Sequence, residues 1–586
     1  MYLFFDFIER SNKAFIEELA LWIKENGEPD TSFGVFFEFF FFFCFLNIKY
    51  TLRNIITFFC LADDYCWNYF LGFIDQHYII FAKIKLIGVV FVSYFVVIMF
   101  YRYTFRLLCF IYYKFLPYIL KSDILWIILT GFVNFILLLF SLYVWYYFDF
   151  WEPGFQFVYS IPLIKHFHID FIIGFDGISV CFLLLTTFIM SICWFCGMGT
   201  TTYFKEFLVC LIFIEIFLIF SFILLDLFFF YVFFESVLIP MFIMIGIWGS
   251  RSRKIKAAYY FFLYTLFGSL FMLFGILFIY TITGTTDFYV LLNTILDEEY
   301  QLKLWICFFL PFAIKIPMFP FHIWLPEAHV EAPTIGSIIL ASLLLKLGGY
   351  GLLRFTLPMF SFGNYFFLPV IYMLGVIGVV YASLITIRQI DLKKIIAYSS
   401  VAHMNLIVLG LFSYTQQGIE GAIYLMIGHG IVSFSLFYCV GIIYDRYHTR
   451  LLRYYGGLIS VMPLFSFYLL CFILANMGFP GTSNFIGELL ILVGICEKNS
   501  FVMVFAATGI VLSSIYSIWV FNRIIFGALK LKYLSSDKFT DLNKYEKEIL
   551  FYLLFSMMGL GIYSTIVTDL TSYPVILLSL TAYSKV

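Results

Sequence analysis

The chain reads as an all-α, polytopic membrane protein of about 14 transmembrane helices, and three observations predict this. Of its 586 residues, 63% are hydrophobic and only 12% charged, where soluble domains carry roughly a quarter charged residues. Mean hydropathy is +1.00. Apolar runs of about 20 residues, the length that crosses a hydrocarbon core as a helix, recur from position 86 to the far end. Backbone in lipid must satisfy its own hydrogen bonds, so the choice is between helices and a closed barrel. A barrel would show shorter segments of alternating polarity, a pattern that these runs do not have. The third observation is an alternation of charge between successive loops.

Hydropathy places spans at 86–101, 124–148, 176–199, 206–225, 227–248, 257–282, 302–319, 334–355, 366–387, 394–413, 418–444, 458–495, 501–527 and 549–570. Residues 1–85 form an N-terminal extension with room for extra membrane segments or an interfacial helix; it holds Glu38, Asp63 and Asp64. Helices 1–3 occupy 86–200, a first five-helix unit 201–356 and a second 357–530, with a linker and helix 14 at 531–586. Two spans are interrupted. Pro317 and Pro320 break helix 7 in IPMFPFH, while Gly478, Pro480 and Gly481 break helix 12 in MGFPGTSNF, inside a run too long for one straight crossing. Transporter folds use such broken helices to place binding groups at mid-depth.

From the third span onward, loops after odd-numbered spans carry 17 Lys and Arg residues, from Lys205 to Lys547. Loops after even-numbered spans carry three: Lys303, Arg354 and Lys498. Basic residues stay on one side of a membrane, and a missed helix would scramble the alternation, so the count supports the span assignment. An internal repeat is also visible. Glu235 precedes Lys315 by 80 residues and His403 precedes Glu488 by 85, as two five-helix units would place them. An odd number of crossings per unit makes their topologies inverted.

Several function classes are excluded or disfavoured. A net charge of -1 without a basic, aromatic-interleaved patch offers nothing to nucleic acid. Cys193 and Cys196 lie within an apolar run without further ligands at metal spacing, and His166 and His168 have no third ligand nearby, so the cysteines carry no metal or redox role and the histidines read as surface loop. There is no GxGxxG after a strand and no cysteine set for an iron–sulfur cluster. The first 30 residues hold seven acids against three bases, the wrong balance for an Arg-rich import peptide, and synthesis inside the target compartment is expected.

What remains is a set of isolated charges in the spans: Glu235, Lys315, Lys346 and Glu488, with His403 and His429. An ionisable group at bilayer depth costs on the order of 2.5–3.5 kcal/mol and normally faces the bundle interior. A structural ion pair, or a histidine bonded to a neighbouring helix, is one reading of each. The other is a proton relay, in which carboxylate, lysine and imidazole exchange protons as pairs open and close. Ser399 and Ser400 before His403, and Ser433 and Ser435 after His429, suit water between the stations.

The segment FAIKIPMFPFHIWLPEAHVEAPTIGSIILASLLLKLGGYG, residues 312–351, closely resembles the subunit 4 family of respiratory NADH:ubiquinone oxidoreductase, complex I. FDGIS, FFESVLIPMFIMIGIWGS, YFFLYTLFGSLFML, IRQIDLKKIIAYSSVAHMN, HGIVSFSLF, YDRYHTR and GFPGTSNFIGE follow the family's order over roughly residues 170–530. The departures are the N-terminal extension and Asp445, where the family has Glu. The resemblance implies an antiporter-like membrane-arm subunit with two inverted five-helix repeats. Carried over by motif, Glu235 is the fifth-helix acid, Lys315 the broken-helix lysine, Lys346 the eighth-helix lysine, His403 and His429 the tenth- and eleventh-helix histidines, and Glu488 the twelfth-helix acid. It further implies a multi-pass protein of the mitochondrial inner membrane beside antiporter-like subunits 2 and 5 and membrane lipids, with no cofactor of its own. NADH, FMN, iron–sulfur clusters and ubiquinone would be bound by other subunits. A cation/proton antiporter subunit and a membrane scaffold without pumping stay open as alternatives.

Overall fold

The structure is a computed structural model, and it describes residues 122–152, 154–164, 169–197, 203–530 and 540–584. The extension 1–85, the span expected at 86–101 and the His166–His168 pair lie outside the described residues.

In chain order, helix α1 (Ser122–Tyr147) is followed by strands β1 (Gln156–Ile164) and β2 (Ile169–Phe175), then α2 (Gly177–Gly197) and α3 (Phe204–Ile223). Helix α4 (Leu227–Trp248) is interrupted at Val237, α5 is Lys254–Thr283 and α6 is the short Phe288–Asn293. Helix α7 (Glu298–Lys315) and α8 (Trp324–Glu331) flank an irregular turn. Helix α9 (Thr334–Met359) is the following span. The second half comprises α10 (Ser361–Arg388), α11 (Leu392–Leu411), α12 (Gln416–Tyr447), α13 (Pro463–Asn476), α14 (Ser483–Lys498) and α15 (Ser500–Ile525), and the chain closes with α16 (Lys544–Ile562) and α17 (Thr565–Ser584).

Among the described residues, ten helices are long and apolar enough to cross a membrane, or eleven if α16 and α17, bent by 58°, count as one. Both broken helices fall outside that number because their pieces are short or charged: α7 carries Glu298, Glu299, Lys303 and Lys315, and α13 has 14 residues. The C-terminal region differs from expectation, since the helix at 549–570 is two helices meeting at Tyr563 and Ser564. Between α1 and α2, strands β1 and β2 pair antiparallel. Their sequences, QFVYSIPLI and IDFIIGF, are rich in Val, Ile and aromatic side chains, which suit a pleated ribbon.

Helices α9, α11 and α12 are enclosed, whereas α1, α5, α10 and α15 leave one face outward. On α5 the outward face is Leu263, Phe267, Leu270, Phe274 and Leu277, a three-and-four spacing that makes one apolar stripe facing lipid. Lipid tails are as apolar as these side chains, so packing and internal polar contacts must hold the helices together. Trp305 illustrates both. Its ring stacks between Phe309 and Phe367 at 4.4 and 4.3 Å, and its indole donates to Asn364 Oδ1 at 2.8 Å, joining α7 to α10. At the far end of α12, Arg446 holds Glu546 of α16 at 2.6 Å.

Candidate functional site

Four of the six sequence-predicted residues form one buried line across three helices and a half-helix. Lys346 on α9 lies fully buried, with its ammonium 2.9 Å from His429 Nδ1 on α12. The His429 ring faces that of His403 on α11, with centroids 5.5 Å apart. His403 Nδ1 lies 3.3 Å from Glu488 Oε1 on α14. His429, His403 and Glu488 are all buried.

Local backbone irregularity positions each end. Lys346 sits between two wide turns of π type, Leu340–Leu344 and Leu352–Thr356, and its ammonium donates to the Ala341 carbonyl at 2.7 Å. Such bulges release carbonyls from the regular ladder and recur at functional sites. Glu488 abuts the break between α13 and α14. There Gly478 has φ of 74°, and a β-carbon on it would lie 2.3 Å from Glu488 Oε2. Gly478→Ala is expected to cost about 1–2 kcal/mol in left-handed backbone strain and to push the carboxylate away from His403. The check is a lowered thermal midpoint together with slowed proton uptake by the assembled protein.

Glu235 and Lys315 form a separate group. Among the described residues no ion pair within 4.0 Å joins them, although each lies in the other's electrostatic field. The Lys315 ammonium instead donates to the Phe234 carbonyl at 2.9 Å and lies 3.3 Å from the centre of the Phe234 ring. Pro240 accounts for the local geometry of α4. It has no N–H for the Ser236 carbonyl and its ring crowds that oxygen, so the regular ladder is interrupted at Val237, one turn after Phe234. Lys315 is buried at the last residue of α7, while Glu235 is half-buried with one carboxylate oxygen unpaired.

The structure also reveals residues that hydropathy passed over. Glu215 on α3 is fully buried, accepts from Asn134 Nδ2 at 3.2 Å and keeps Oε1 unpaired. Its lone position in LVCLIFIEIFLIF carries the same signal as Glu235. Lys393, Arg450 and Arg354, counted as loop charges, turn inward. Lys393 donates to the Ala332 carbonyl at 2.7 Å, and Arg450 donates to the Val330 carbonyl and Ser250 Oγ. Ser483 and Asn484 of α14 are buried beside Gly428, their side-chain polar atoms unpaired, and Tyr516 Oη on α15 is likewise buried and unpaired. Buried polar atoms without a protein partner are where ordered water binds. A cavity of about 50 Å³, lined by Ser399, Asn476, Tyr516 and Ser517 among apolar side chains, opens between α11, α12, α13 and α15. Among the described residues no group of three His, Cys, Asp or Glu side chains is placed to hold a metal.

Broken helices, enclosed central spans and a buried line of ionisable side chains define an antiporter-like membrane subunit. Residues 224–513 match the family model described as NADH:quinone oxidoreductase/Mrp antiporter, TM. The chain is 55% identical over 436 residues to NADH-ubiquinone oxidoreductase chain 4 of Marchantia polymorpha, covering 74% of this chain and 88% of that one. It therefore belongs to the NADH-ubiquinone oxidoreductase chain 4 family. A chain in the structure of respiratory complex I from Thermus thermophilus with bound NADH superposes with a TM-score of 0.69 at 27% identity, over 79% of this chain and 99% of that one. The Mrp complex from Dietzia sp. DQ12-45-1b gives the same TM-score at 18% identity, over 79% and 94%, a likeness of fold alone.

Proposed function

We propose that this chain translocates protons as a membrane-arm subunit of NADH:quinone oxidoreductase, driven by quinone reduction elsewhere in the complex. The observation that carries the reading is the succession of buried side chains Lys346, His429, His403 and Glu488. Two unit charges about 4 Å apart repel by roughly 4 kcal/mol at an effective dielectric near 20. Lys346 and His429, closer than that, therefore hold one proton between them, and it passes along their shared hydrogen bond. One water spans the imidazole pair, and His403 hands the proton to Glu488. Glu235 and Lys315 serve the other end, where approach of the carboxylate to the ammonium sets when Lys315 releases its proton. The buried lines need no cofactor, and NADH, FMN, iron–sulfur clusters and ubiquinone belong to other subunits. Antiporter-like subunits 2 and 5 are its neighbours, and the mitochondrial inner membrane is its site.

Glu235→Gln keeps the volume and removes the exchangeable charge. NADH-driven proton uptake in sealed vesicles is expected to fall about tenfold or more while the complex assembles. An unchanged proton-to-electron ratio would sink the relay and favour a scaffold. The family model's description, which pairs NADH:quinone oxidoreductase with the Mrp antiporter, favours a stand-alone cation/proton antiporter as the second reading, and copurification with redox subunits separates the two.

A further inference from the structure

His329, on α8, stands outside the six relay residues, yet its surroundings connect them to the basic-loop side of the membrane. It is fully buried and neither ring nitrogen meets a hydrogen-bond partner. Its ring stacks on Phe437 of α12, centroids 4.7 Å apart and 8° from parallel. Stacking alone would be served as well by phenylalanine, without leaving two polar atoms uncompensated at about 1–3 kcal/mol each. Water at each ring nitrogen would satisfy both.

Position along α12 shows what lies on each side. Phe437 is eight residues beyond His429, a rise of about 12 Å toward the helix end that leads into the loop of Arg446 and Arg450. On the deep side, Lys346 and His429 act electrostatically on His329. On the shallow side the same holds for buried Lys393 of α11. Lys393 in turn feels Arg450, Glu331, Asp445 and Arg251, of which Asp445 and Arg251 are exposed. Glu331, the last residue of α8, is buried with Oε2 unpaired, and its carbonyl accepts from the Ser250 N–H at 3.1 Å. Ser250, Lys393 and Arg450, from the loops after three odd-numbered spans, thus bond to the Glu331, Ala332 and Val330 carbonyls directly after His329, and the relay lies deeper along α12.

We propose that His329 is a further proton-transfer residue, taking protons from the Glu331–Lys393 cluster at the basic-loop side and passing them through water to the Lys346–His429 pair. An N–H bond forms at one ring nitrogen as the N–H bond at the other breaks, so the ring returns to neutrality with each proton passed. The inference rests on the proton-conduction reading above.

The test uses the assembled complex in sealed vesicles with H329F, which keeps the stack on Phe437, and H329Q, which keeps polarity without titrating near neutrality. Both are expected to assemble and to take up protons about tenfold more slowly or worse during NADH oxidation. Wild-type uptake by H329F beside an impaired E235Q would overturn the proposal and leave His329 as a core ring. Wild-type uptake by both would instead overturn proton conduction itself. If neither His329 variant assembles, a high-resolution map of the native complex decides. Ordered water within about 3.2 Å of both ring nitrogens supports the path, and a dry imidazole overturns it.

Discussion

Lys346→Met is expected to abolish NADH-driven proton uptake while leaving the subunit folded and assembled. Lys346 is fully buried, and the methionine side chain has nearly the same length with no charge. Removing a charge from bilayer depth relieves a cost on the order of 2.5–3.5 kcal/mol, so loss of activity in this variant is not loss of stability. What disappears is the group that shares a proton with His429 at 2.9 Å, and a positioned proton donor contributes roughly two to four orders of magnitude to a transfer step. Lys346→Arg sharpens the prediction. Guanidinium keeps the positive charge at every accessible pH and cannot release its proton, so a relay stops with Arg as surely as with Met. If the site needed only a cation to pair or to shape the field, Arg would preserve it. Proton uptake at near wild-type rates in the Arg variant, with quinone reduction intact, would exclude Lys346 as a transfer station.

The outline of this site was legible because ionisable residues stand out in apolar text. Glu235, Lys346 and Glu488 each sit alone in runs of Phe, Leu and Ile, and Gly478 with Pro480 marks the break beside Glu488. Depth was harder to read than identity. Lys393 and Arg450 follow loop positions by hydropathy, but long side chains reach several ångströms along a helix end, and here they turn inward to cap the Ala332 and Val330 carbonyls. Contacts between distant segments were harder still. Spacing brings Glu235 and Lys315 to one neighbourhood, but it does not say that Lys315 meets the Phe234 carbonyl rather than the carboxylate. His329 sits in HIWLPEAHVEAP beside a broken helix, where hydropathy gives no depth at all. Only the stack on Phe437 sets it on the path.

Asp176→Ala is expected to destabilise the protein by about 3–5 kcal/mol, because it leaves a buried guanidinium without its counter-charge. Arg354 Nη2 lies 2.6 Å from Asp176 Oδ1, with both side chains 5% exposed. The same carboxylate oxygen accepts the Ser179 N–H at 2.9 Å and so caps the start of α2, a contact worth about another 1 kcal/mol. Arg354 Nε also donates to Tyr350 Oη at 3.1 Å, and Tyr350 donates to the Phe222 carbonyl of α3 at 2.7 Å. One ion pair therefore ties α2, α3 and α9 together. Arg354 is eight residues, about 12 Å of rise, from Lys346 on the same span, so a loosened α9 end also misplaces the relay lysine. The expected readouts are a lower thermal midpoint in detergent and less assembled complex. Replacing the pair together, Asp176→Leu with Arg354→Met, removes both buried charges and is expected to recover most of the stability, since apolar substitutes for a buried pair are often neutral or better. Proton uptake should return with it, because neither residue belongs to the line from Lys346 to Glu488. A single Asp176 variant as stable as wild type would show that the pair does not anchor α9. A double variant that is stable yet fails to pump would place the pair in the relay instead.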